Sequence, residues 1–75
     1  MLEIWFEIDL EDESGAWSRM HQVLNSRDAK RYDTLSEALS TARTWTKRTG
    51  RESQVLQVTH SEKCVGWGTG AISAP

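Results

Sequence analysis

The chain has a single cysteine, Cys64, so no disulfide can close within it. A lone thiol fits a reducing compartment. No stretch approaches the roughly 20 consecutive apolar residues that a membrane-spanning helix needs. The opening Leu2-Glu3-Ile4-Trp5-Phe6-Glu7 lacks both the basic leader and the apolar run of a signal peptide. A cytoplasmic protein without membrane contact is therefore expected. There is no Cys-x-x-Cys, no Gly-x-Gly-x-x-Gly and no Gly-Lys-Ser/Thr; Gly66 and Gly68 follow a candidate strand but precede no helix. His60 and Cys64 stand four apart, with His21 as a further donor, but a structural zinc site needs four ligands and usually shows paired spacings. No metal or cofactor is expected, and His60 and Cys64 read as a strand-face histidine and a small buried hydrophobe.

Length sets a second limit. Seventy-five residues allow one domain, residues 1–75, with a tail expected to fray from Gly68 onward. A chain this short buries only about 60% of the surface its unfolded form exposes. The roughly 300 Å3 pocket that substrates usually occupy is expected to be out of its reach. Two histidines, one cysteine and several carboxylates also show no spacing that selects a nucleophile and base. A non-enzymatic role is expected, with no catalytic residue.

Two elements stand out. Leu2, Ile4, Phe6, Ile8 and Leu10 alternate with Glu3, Trp5, Glu7, Asp9 and Glu11, the period of a strand with one face buried. After a loop at Glu11–Ala16, residues Trp17 to Leu24 are expected to return as a second strand. Pairing Ile8 with Met20 and Ile4 with Leu24 on the core face sets Asp9 against Arg19, Glu7 against His21 and Trp5 against Val23 on the other. Asn25-Ser26-Arg27-Asp28 reads as a turn, and Ala29 to Tyr32 as a short edge strand or an extended approach. Thr34-Leu35-Ser36-Glu37 is a capping box. Leu35, Ala38, Leu39, Ala42 and Trp45 follow as one apolar stripe, and Gly50 closes the helix after Lys47 and Arg48. Ser53–Thr59 and Cys64–Trp67 supply two more strands. The expected fold is α+β: ββαββ, a mostly meander-like antiparallel sheet with one helix on one face. The other face is left to solvent or a partner.

Charge is unevenly spread. Residues 1–13 carry six acids and no base, while the rest carry nine bases against five acids, within a net charge of −2. Glu3, Glu7, Asp9 and Glu11 should project from one side of the first strand with Trp5, joined by Asp12 and Glu13 in the loop. Such a row can engage a basic surface, or simply solvate an open sheet face. Arg43, Lys47, Arg48 and Arg51 gather at the helix C-terminus, where they complement the dipole or contact phosphates. Net acidity weighs against nucleic acid, which remains the alternative partner. Four tryptophans are a heavy aromatic load for 75 residues. Trp45 belongs to the helix stripe and Trp5 points away from the core, either as a contact residue or as cover beside Val23.

The segment Arg31-Tyr32-Asp33-Thr34-Leu35-Ser36-Glu37-Ala38-Leu39, with Arg43-Thr44-Trp45 and the Val-rich strand after it, resembles an arrangement in small α/β proteins of phages and mobile elements. Small anti-CRISPR proteins are one class of similar size, charge and shape. The resemblance covers roughly residues 31–67. It implies a non-catalytic inhibitor that docks on a larger protein or nucleoprotein and blocks a site or a motion. The partner expected is therefore a larger protein or nucleoprotein with a basic surface. The open sheet face and thin core also leave room for a homodimer.

Overall fold

A computed structural model describes residues 3–24, 27, 30–59 and 61–70. Its elements are β1 (Trp5–Glu11), β2 (Trp17–Arg19), α1 (Met20–Val23), α2 (Leu35–Thr49), β3 (Ser53–Val58) and β4 (Glu62–Trp67). The four strands form one antiparallel sheet in the order β2-β1-β3-β4, with α2 packed across one face. The ββαββ plan is therefore present, with α1 as an added turn. The sheet is not a meander. Two hairpins lie side by side through β1 and β3, and the helical segment α1–α2 carries the chain from the edge strand β2 to β3.

The register of the first hairpin is the expected one: Asp9 faces Arg19. Its length is not. The second strand stops at Arg19, and Met20–Val23 turn into helix. Helical spacing brings Met20 and Val23 together against the core, where continued strand would have sent them to opposite faces. The ladder position beside Phe6 goes instead to Tyr32, which exchanges two backbone bonds of 2.8 Å with it. Of the short edge strand or extended approach expected over Ala29–Tyr32, the described residues show this single bridge at Tyr32. Ile4 and Leu24, expected to pair inside, are both about half exposed, since β1 begins only at Trp5. Leu2, His60, most of the Asn25–Asp28 turn and residues 71–75 lie outside the described residues.

The helix forms where its end signals lie. Thr34 Oγ1 accepts the Glu37 amide at 3.2 Å, and Gly50 takes the left-handed conformation (φ 72°) while donating to the Thr46 carbonyl. Ala38, Leu39 and Ala42 seat α2 on Ile8, Leu10 and Val55. Small alanines let the helix approach the strands closely. At its far end the contact turns polar: Ser53 Oγ donates to the Ala42 carbonyl at 3.0 Å and lies 2.9 Å from Thr46 Oγ1. Gly68, the first residue of the expected tail, is buried in this knot and donates to the Ser53 carbonyl at 2.8 Å. A side chain there would overlap both hydroxyls.

Candidate functional site

Strand pairing assembles the sheet face opposite α2. Residues directly opposite share a face, so Trp5 aligns with Val58 and Glu62, Glu7 with Leu56 and Cys64, Asp9 with Arg19, Gln54 and Trp67, and Glu11 with Trp17. Among the described residues no helix covers this side, yet Glu7, Leu56 and Val58 are buried. Long side chains do the covering. Alternation in β1 put Trp5 and the acids here, and tertiary pairing folds them down onto the sheet.

Arg19 is the centre of that cover. Its guanidinium meets Glu7 at 3.0 Å and Asp9 at 2.8 Å, and it also pairs with Glu62. Burial pushes the Asp9 carboxyl above its ordinary value, against the pull of Arg19. Burial also works against the Arg19 charge. There the hydrogen bond to Glu62 and the charges of Asp9, Glu7 and Glu62 outweigh it and raise the guanidinium pKa. Trp5 Nε1 donates to Glu7 Oε2 at 2.9 Å, and Arg31 lies 4.2 Å above the Trp5 ring. Trp17 and Trp67 meet edge to face across the two central strands, with centroids 6.2 Å apart.

The expected acidic row is thus divided among separate tasks. Glu3 is exposed ahead of the strand. Trp5, Glu7 and Asp9 are held by Arg31 and Arg19. Glu11 is half-buried and accepts the Glu52 amide at 3.4 Å. Asp12 fastens the hairpin loop: its Oδ1 accepts the Ser14 hydroxyl, the Ser14 amide and the Ala16 amide. The hydroxyl above all, with the two amides, holds the Asp12 carboxyl below its ordinary value. Glu13 pairs with Arg51 at 3.0 Å. Arg51, expected in the basic cluster, thus carries an exposed ion pair. Arg43, Lys47 and Arg48 remain exposed on α2, with no ion pair among the described residues.

Three features of the face were not singled out from sequence. Arg19 reaching Glu62, the Trp17–Trp67 contact and the burial of Leu56 and Val58 all join strands far apart in the chain. Only the Asp9–Arg19 register pointed toward the first of them.

The expectation that the chain is too small for a cavity needs correction. An open groove of about 380 Å3 lies between α1 and α2, lined by Met20, Leu24, Trp45 and Arg48 among others. Its Thr41 and Thr44 hydroxyls are bonded to helix carbonyls, at Glu37 and Ser40. Among the described lining residues Arg48 alone is ionisable, and none of them carries a carboxylate, imidazole or thiol. Cys64 is half-buried on the outer face. Among the described residues, no three His, Cys, Asp or Glu side chains are placed to share a metal ion, and no helix is long and apolar enough to cross a membrane. Comparison with protein families, with curated proteins and with solved structures gives no significant match.

Proposed function

We propose that the chain is a non-enzymatic cytoplasmic binding protein that docks its outer sheet face on a basic surface of a larger protein or nucleoprotein. One observation carries this reading. Trp5, Trp17 and Trp67 share that face with Glu7, Asp9, Glu11 and Glu62, which outnumber its cations Arg19 and Arg31. Indoles anchor interfaces by burying large area at little entropic cost. The internal ion pairs fix the carboxylates before a partner arrives, which lowers the ordering cost of binding. The resemblance of residues 31–67 to small phage inhibitors supplies the biological role: the docked face would block a site or a motion of its target. The lone, half-buried Cys64 thiol fits a reducing compartment.

The test is capture from the native host on the immobilised chain, eluted by salt. A basic protein released by moderate salt, and not retained by a chain carrying Glu11→Lys and Glu62→Lys, is the expected result. Retention that ignores both salt and those substitutions counts against the proposal.

A second reading has its own support. Arg43, Lys47 and Arg48 stand exposed and without ion pairs among the described residues, which suits phosphate contact. A low-salt gel shift abolished by Arg48→Glu would favour it, and no retention of single or double strand would remove it.

A further inference from the structure

On the outer face two indoles each have a carboxylate as a near neighbour on the sheet, and among the described residues only one of the two indoles carries a cation. At the first site an indole and a carboxylate lie side by side: Trp5 Nε1 is bonded to Glu7 at 2.9 Å, and the Arg31 guanidinium rests 4.2 Å above the ring. At the second, β1–β2 pairing sets Glu11 directly opposite Trp17, which is 40% exposed. Here the edge-to-face contact with Trp67 fixes the tilt of the indole. The bond from the Glu52 amide to Glu11 Oε1 fixes the carboxylate. Among the described residues no cation lies over the Trp17 ring.

We infer that Trp17 and Glu11 seat an arginine side chain of the partner, an inference that rests on the outer face being the docking face. A guanidinium can stack on the indole, as Arg31 does on Trp5, while its N–H groups reach the carboxylate of the opposite strand residue. Delocalised and weakly hydrated, it suits such a seat better than the compact lysine ammonium. The site lies at the short-strand edge, where a bound side chain need not displace Arg19 from its three carboxylates.

The full chain, isotope-labelled, is titrated at low salt with a short arginine–glycine repeat peptide and with its lysine–glycine counterpart. The Trp17 indole N–H and the Glu11 signals should move most, while Trp45, on α2, stays still. Trp17→Leu and Glu11→Gln should each weaken the arginine peptide by about two- to fivefold, the span an exposed cation–π contact covers. Glu11→Gln keeps the side-chain shape and an acceptor for the Glu52 amide, so it reads the charge without threatening the fold. Shifts on Trp5, Trp67 and Glu62 that spare Trp17 and Glu11 overturn the seat but leave the docking face standing. Equal binding of both peptides overturns the assignment of arginine. No shift anywhere on the outer face overturns the seat and the docking face together.

Discussion

Arg19 of β2 and Glu62 of β4 form an ion pair that spans the two strands between them, β1 and β3. With Glu7 and Asp9 on the same guanidinium, this contact gives the sheet a second cover, built of charge rather than of helix. It lets a four-stranded sheet with a single packed helix bury Leu56 and Val58 on the side the helix leaves bare.

The members of that cluster are not equivalent. Arg19→Met keeps the aliphatic stem but leaves Glu7 and Asp9 partly buried without their cation. A loss of about 2 kcal/mol is expected, below the full cost of orphaning a buried charge because the Arg19 side chain keeps 20% of its exposure. Glu62→Gln should cost at most about 0.5 kcal/mol, since the Glu62 side chain is 48% exposed. Urea unfolding at neutral pH checks both values. Equal losses at the two positions would show that the cluster has no centre.

Two aspartates should respond to acid in opposite directions. The Asp9 pKa is raised in the folded chain, so folding favours its protonated form. Its contribution to stability is full below the ordinary aspartate value and is lost as pH rises through the folded one. The Asp12 pKa is lowered, so its contribution is present above the ordinary value and is lost as pH falls through the depressed one. On acidification, wild type should gain stability relative to Asp9→Asn and lose it relative to Asp12→Asn. Urea midpoints across the acid range give both slopes, and slopes of the same sign would contradict the assignment.

Gly68→Ala should destabilise the chain by about 1–3 kcal/mol, since the new methyl group enters the space of the Ser53 and Thr46 hydroxyls beneath the Ala42 carbonyl. Thermal unfolding measures this. Gly68→Ala in a Thr46→Ala background should lose less, because one of the two hydroxyls is then gone. An unchanged melting temperature in the single variant would mean that the knot yields.

The local signals were legible in the sequence. Alternation from Phe6 to Leu10 placed the core face of β1, and Thr34 and Gly50 bounded α2 because capping is decided within a few residues. The Asp9–Arg19 register could be found because one slip would have reversed both faces of the hairpin. The end of β2 could not. Whether Met20 to Val23 continue as strand depends on Tyr32, which competes for the edge of Phe6 from across the chain. The same limit hid the occupied state of the acids. Glu7 and Asp9 read as a free row until Arg19 and Trp5 are folded over them, and the groove beside Trp45 is lined in part by Met20 and Leu24, at the segment expected to be strand.

Carboxylate footprinting of the chain, free and bound to the partner recovered from its host, asks directly which face docks. Glu3 and Glu62 should label readily in the free chain and the half-buried Glu11 more slowly, all three should be shielded in the complex, and Glu37, exposed on α2, should label equally in both. Shielding of Glu37 with undiminished labelling of Glu11 and Glu62 would place the partner on the helix and contradict the docking of the outer sheet face.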